Sequence, residues 1–293
     1  MLFQQFLLEK QYNEGIKETT LISYRFYFSL LPLSGMSPDD TTTLTVRNFR
    51  TLLASEGYNR KWSPATYNTA RKCFNSYCTY LVRDKLLESN PFDTITKMRE
   101  PQKLPKSLSV DQVKTLKYAI THLFNPNTFL GLRDICIFQT MLYTGIRRKE
   151  LLDLKPSDLD LATLTIAIRN GKGGKGRIVP VCNQLIPVLS EYLRILHAEH
   201  SDPLFLFPSK NNFNLGIRNL RNVFEKVKEK IDFPLSPHRL RHTFATELVR
   251  NDLDIFNIAS VLGHASVKTT QIYLTANTET INKKISSLNL YAF

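Results

Sequence analysis

Over the N-terminal third of the chain, apolar residues recur three and four positions apart, the spacing of helices with one buried face. The pattern predicts four helices, over Leu2–Tyr12, Thr20–Leu33, Thr45–Gly57 and Pro64–Leu87. The last opens with Ser63-Pro64, a capping residue followed by proline at the first helical position, where a missing N–H costs nothing. Tyr67, Phe74, Tyr77, Cys78 and Leu81 share one broad face of it and belong to a core. Asn90-Pro91-Phe92 ends this helical block. The stretch KMREPQKLPK, residues 97–106, has two prolines, four basic residues and no apolar period, the mark of a linker. Periodicity resumes at Ser109, whose spacing to Gln112 is that of a capping box, and predicts helices over Asp111–Phe124 and Phe129–Tyr143. Two short β-runs, Leu164–Ile168 and Arg177–Val181, then flank a glycine-rich turn and read as a hairpin. Beyond it the chain is helical almost to its end.

Composition fits that picture and adds a polyanion to it. The 293 residues are 42% hydrophobic and 11% aromatic, ample for packed cores. Lys and Arg number 39 against 26 Asp and Glu, a net charge of +13. A basic surface can serve solubility alone, but a chain this basic usually meets nucleic acid. Residues 1–97 carry 12 basic and 9 acidic side chains and the remainder 27 and 17, so anion chemistry is expected mainly in the second part. Cys73, Cys78, Cys136 and Cys182 form no CxxC pair and read as reduced, buried thiols of a cytosolic protein. The N-terminal MLFQQFLLEKQY lacks a basic n-region and a cleavage site, and no apolar run approaches ~18 residues. No membrane partner and a cytoplasmic location are the expectation.

Five places put cationic or titratable side chains beside glycine, proline or a helix start. They are Thr144-Gly145-Ile146-Arg147, the hairpin turn with Lys172 and Lys175, Ser236–His242, Leu262-Gly263-His264, and Gln271-Ile272-Tyr273. Each alone is a weak signal. His238 and His242 stand one helical turn apart, a zinc spacing, but Arg239 occupies the position where a zinc protease needs glutamate. No metal is therefore expected there, and His242 reads as a hydrogen-bonded structural residue. A two-metal nuclease needs clustered carboxylates. The only dense group, Asp153, Asp158 and Asp160, lies at a helix end and a turn, where Asp caps and turns the chain. The remaining inventory of Arg, Lys, His and Tyr suits phosphoryl transfer without a metal. Guanidinium forks match the non-bridging phosphate oxygens, Lys or His can protonate a leaving hydroxyl, and tyrosine can act as covalent nucleophile.

Together these residues resemble the tyrosine recombinase, or phage-integrase, family, and most of all its compact Xer-type members. The resemblance spans nearly the whole chain. The family's first arginine falls on Arg147 in LYTGIRRKELLDL and its hairpin lysine on Lys172 in GKGGKGRIVPV. Its His-x-x-Arg box falls on His238 and Arg241, its second histidine on His264 and its nucleophile on Tyr273. The spacings of 3, 23 and 9 residues from His238 through Arg241 and His264 to Tyr273 fit the family. After Arg147 the chain reads Arg148-Lys149-Glu150-Leu151, more charged than many relatives, with Glu150 as the family's structural acid. Lys175 competes with Lys172 for the role of general acid, and Lys172 is preferred.

The resemblance implies a mainly α protein. A four-helix, SAM-like core-binding domain over residues 1–96 and a linker over 97–108 precede a mixed α+β catalytic domain over 109–293. The two domains would form a C-shaped clamp around DNA. Arg60, Lys61, Arg71 and Lys72 in the first domain, and Arg148, Lys175, Arg177 and Arg239 in the second, are expected to contact phosphates. The implied activity is site-specific recombination through a 3′-phosphotyrosine and a Holliday junction, with no cofactor, by a tetramer on a specific duplex site. The resemblance leaves room for a second recombinase or an accessory protein as partner. Two other readings stay open: a type IB topoisomerase-like enzyme, and a DNA-binding protein that does not cut. A C-terminal helix over 277–290, with Ile281, Ile285 and Leu288 in one stripe, is expected to dock on a neighbouring protomer.

Overall fold

The computed structural model describes residues 1–101, 107–169 and 176–263. The chain divides into two compact units, Met1–Gln102 and Lys103–Phe293, each with its own core.

Unit 1 is all helical: α1 (Leu2–Tyr12), α2 (Glu18–Phe28), α3 (Val46–Asn59) and α4 (Pro64–Arg83). Ser63 caps α4 by accepting the Thr66 N–H, with Pro64 in the first turn. α2 ends five residues before its expected end, because Pro32 cannot continue a helix and Leu31–Ser34 tighten into a 3₁₀ turn. α4 stops short too: Lys85 takes a left-handed φ of 60° and the Leu86 N–H reaches back to the Leu81 carbonyl at 2.8 Å. The core is dense in aromatic rings. Tyr77 lies at its centre, edge-on to Phe6 and Phe28 with both ring centroids 5.1 Å away, and its hydroxyl donates to the Pro38 carbonyl at 2.5 Å. Such pairs contribute about 0.5–1.5 kcal/mol each beyond burial. Residues expected to start the linker belong to this unit. Asn68 exchanges two 2.9 Å hydrogen bonds with the Met98 backbone and donates to Glu100 at 2.7 Å.

Unit 2 contains α5 (Val110–Leu123), α6 (Phe129–Thr144), α7 (Arg148–Asp153), α8 (Ile186–Glu199), α9 (Gly216–Lys228), α10 (Pro237–Arg250) and α11 (Ile255–Leu262). Ser109 and Gln112 form the expected capping box at the start of α5. α6 is buried along thirteen of its sixteen residues and packs against α8 and α10, as befits a helix apolar on nearly every side. Its two buried charges are matched, Arg133 donating to Asp134 at 2.7 Å and to the Pro208 carbonyl at 2.9 Å. The hairpin strands β2 (Thr165–Ile168) and β3 (Arg177–Pro180) gain a third antiparallel neighbour, β1 (Leu159–Asp160), in the order β1-β2-β3. Ile168 pairs with Arg177 and Ile166 with Val179, which turns Val179 and Val181 into the core and leaves Ile178 outside. Asp158 and Asp160 accept backbone N–H groups around β1, from Lys155 and from Ala162 and Thr163, as turn-forming aspartates do. Among the described residues no helix is long and apolar enough to cross a membrane, and no group of His, Cys, Asp and Glu could hold a metal ion.

Candidate active site

The site forms where α6, α7, β3, α10 and the end of α11 meet. α6 closes with Gly145 in the left-handed region at φ 60°, and a Cβ there would stand 2.5 Å from the Phe244 ring. Only glycine meets both demands, so the chain turns sharply and delivers Arg147 at the start of α7. α10 begins with Ser236 as cap and Pro237 in the first turn, which places His238 one residue later and the buried Arg241 one turn on.

Both arginines are held by backbone at the end of α11. Arg147 Nη2 donates to the Gly263 carbonyl at 2.5 Å, and Arg241 Nη2 to the Leu262 carbonyl at 2.6 Å. Arg241 Nη1 also donates to the Gly145 carbonyl at 2.7 Å. A third arginine completes the row: Arg177 Nε donates to the Val261 carbonyl at 2.7 Å. Three consecutive carbonyls, which the helix itself cannot pair, thus each receive a different guanidinium. The negative end of the helix dipole favours the same arrangement. Gly263 is left-handed at φ 64°, and a Cβ there would press on the Arg177 side chain at 3.0 Å.

Glu150, buried in the first turn of α7, is the hub. Its Oε1 accepts Arg147 Nη1 at 2.7 Å and Arg177 Nη1 at 2.8 Å. Its Oε2 accepts the Arg147 backbone N–H at 2.9 Å and Arg177 Nη2 at 2.7 Å. Burial alone would raise its pKa. The hydrogen bonds from Arg177 and Arg147, and the charge of Arg177, prevail and hold it down to about 2. Three guanidiniums against one carboxylate leave this cluster at +2. Among the described residues, Arg147 spends two of its five N–H groups here, which leaves donors for an anionic oxygen.

The histidines stand beside this charge. The His238 and His242 rings lie 4.2 Å apart, edge to face. Burial and the Arg241 charge lower the pKa of His238. Burial, then the charges of His238 and Arg241, bring His242 to about 4. Both rings are therefore neutral at pH 7 and can each donate one hydrogen bond and accept another.

Of the residues chosen from sequence, the structure brings Arg147 and Arg241 to one helix end and sets His238 within the same turn of α10 as Arg241. Lys172, Lys175, His264 and Tyr273 lie outside the described residues. Two expected phosphate contacts need correction. Arg177 is turned inward, its side chain 8% exposed, with all three guanidinium nitrogens bonded to Glu150 and Val261. Arg71 is half-buried over the Phe92 ring and donates to the Ile95 carbonyl at 2.6 Å and the Phe92 carbonyl at 2.9 Å, pinning the segment that follows α4. Lys61, Lys72 and Arg148 are exposed, Arg60 is exposed but paired with Glu56, and Arg239 is half-buried near the Ser107 carbonyl.

Comparison with known proteins carries this geometry to a family. The model of the phage integrase family matches residues 106–280. Tyrosine recombinase XerC of Alcanivorax borkumensis is 34% identical over 248 residues, covering 82% of this chain and 78% of its own. Tyrosine recombinase XerA of Pyrococcus horikoshii is 29% identical over 280 residues, covering 94% and 90%. Among solved structures, XerA recombinase aligns over 96% of both chains at 28% identity and a TM-score of 0.54. The Tn1549 transposon integrase in complex with transposon right end DNA covers 98% of this chain and 99% of its own with a TM-score of 0.77. At 14% identity that likeness speaks for the fold. The chain belongs to the phage integrase family, the tyrosine recombinases, enzymes that break and rejoin DNA.

Proposed function

We propose that this chain is a site-specific recombinase that cuts duplex DNA with Tyr273 and reseals it without external energy. The Tyr273 hydroxyl gives its proton to a neutral imidazole such as His238, and its oxygen attacks the scissile phosphorus as the bond to the 5′ oxygen breaks. A 3′-phosphotyrosine forms, and the released 5′ oxygen takes a proton from Lys172. Arg147 and Arg241 offer their forks to the non-bridging oxygens, and His238 and His264 add hydrogen bonds. A second strand's 5′-hydroxyl reverses these steps. The phosphodiester bond energy is conserved in the phosphotyrosine, so one bond is exchanged for another. The observation that supports this reading most is the meeting of Arg147 and Arg241, from α7 and α10, on adjacent carbonyls at the end of α11. A duplex nicked beside the scissile phosphate tests it, because loss of the short fragment traps a protein–DNA adduct stable to denaturant. A protein that only binds DNA gives no adduct. A topoisomerase-like enzyme gives the adduct but no Holliday junction with two sites.

Strand exchange needs several copies, and the reading includes a tetramer on two DNA sites. An apolar groove of about 620 Å³ in unit 2, lined by Val110, Val113, Leu142, Tyr143, Phe244 and Leu248, is a surface of the right chemistry for the Ile281, Ile285 and Leu288 stripe of a neighbouring copy. Truncation after Thr275 should then leave a folded monomer that binds DNA but forms no synaptic complex on native gels. Normal synapsis and recombination by the truncated chain would exclude a role for the tail.

A further inference from the structure

We propose that Arg177 is a positioning residue for DNA cleavage, setting the aim of the Arg147 guanidinium through Glu150 and Gly263 while never touching DNA. This rests on the reading of Arg147 as a phosphate ligand. Arg147 is fixed at two points, Glu150 Oε1 on one nitrogen and the Gly263 carbonyl on the other. Arg177 holds both. Its two terminal nitrogens grip the Glu150 carboxylate side-on at 2.7 and 2.8 Å. Its Nε fixes the Val261 carbonyl at 2.7 Å, and its side chain packs beneath Gly263, where a Cβ would press on it at 3.0 Å. One planar group therefore sets the distance between the two anchors of Arg147. The same contacts tie β3 to the hub, and β3 begins five residues after Lys172 in the sequence.

Arg177 is not itself placed to meet a phosphate, because its side chain is 8% exposed beneath Gly263 and Glu150. A purely structural ion pair at this place is the competing account. The two differ in what they alter: a structural role changes how much protein is folded, and a positioning role changes the rate of each folded molecule.

Lysine at this position keeps the charge but cannot form the two-pronged grip. Arg177→Lys should slow single-turnover adduct formation at saturating nicked DNA by roughly 10- to 100-fold, the scale of ångström-level misplacement of a reacting group. The dissociation constant for DNA should stay within about threefold, and the final adduct amplitude, which counts folded active molecules, should match wild type. In an Arg147→Ala background, Arg177→Lys should slow the reaction by less than about threefold more, since its effect passes through the missing side chain. Glu150→Asp, which draws the carboxylate back from both arginines, should show the same rate loss and the same lack of additivity. The proposal is overturned if Arg177→Lys lowers only amplitude or stability, or if its rate effect is undiminished without Arg147. Absence of any adduct from wild type, or normal cleavage by Arg147→Ala, would instead overturn the underlying reading of the site, and this proposal with it.

Discussion

Replacing Glu150 with Gln removes a single charge from the hub of the arginine cluster and keeps its shape. The carboxylate accepts four hydrogen bonds from Arg147 and Arg177 and is only 7% exposed. Its pKa of about 2 lies well below the ordinary 4.5. At about 1.36 kcal/mol per pKa unit, that gap is worth about 3 kcal/mol to the folded state. Loss of one partner of a buried ion pair independently costs about 3–5 kcal/mol, so the two routes agree. Because the folded pKa is depressed, the contribution is complete above about pH 4.5 and fades as pH falls towards 2. His242 also weakens the fold on acidification, between about pH 6.5 and 4, but does so in both proteins and cancels in their difference. Urea unfolding of the full chain, following the transition of unit 2, should show Glu150→Gln less stable by about 3 kcal/mol at pH 7. On heating this is about 6–12 °C for a domain of this size. The gap should narrow measurably between pH 4.5 and pH 3. A difference under about 1 kcal/mol at pH 7, or one that does not shrink at pH 3, would mean that the Glu150 charge does not hold the cluster together.

Two further outcomes follow from the site. Arg147→Ala and Arg241→Ala should each slow cleavage by roughly 10²-fold or more while weakening DNA binding only modestly, since other cations remain. Single-turnover rates and filter binding on the same nicked duplex check this, and rates within a few-fold of wild type would make both arginines structural. Lys172→Ala should regain cleavage on a substrate whose 5′-bridging oxygen is sulfur, a leaving group that needs no proton. Rescue of Lys175→Ala in place of Lys172→Ala would transfer the general-acid role.

Much of this was legible in the chain because the signals were local. The Ser63-Pro64 start, the Ser109–Gln112 box and the glycine after α6 each fix an element end by short-range chemistry, and each lies where the sequence pattern puts it. Pro32 was an equally local signal against a longer α2. β1 was hidden by its brevity, two residues that become a strand through pairing with β2. Arg177 shows a different failure. Its basic character suggested a phosphate, yet the alternation Arg177-Ile178-Val179-Pro180-Val181 puts it on the same face as two buried valines, and that phase pointed inward. The gathering of three arginines on the Val261, Leu262 and Gly263 carbonyls lay beyond sequence reasoning, because nothing local in a helix end says which distant side chains will pair with it.

If the proposed chemistry holds, Tyr273 carries the broken strand. Wild type and Tyr273→Phe should be incubated with the nicked duplex and digested, and the DNA-linked peptide identified by mass spectrometry. Wild type should carry a phosphodiester link on Tyr273, and Tyr273→Phe should form no adduct at all while binding DNA within about threefold of wild type. Wild-type amounts of adduct in Tyr273→Phe, or a linkage on any other residue, would contradict that chemistry.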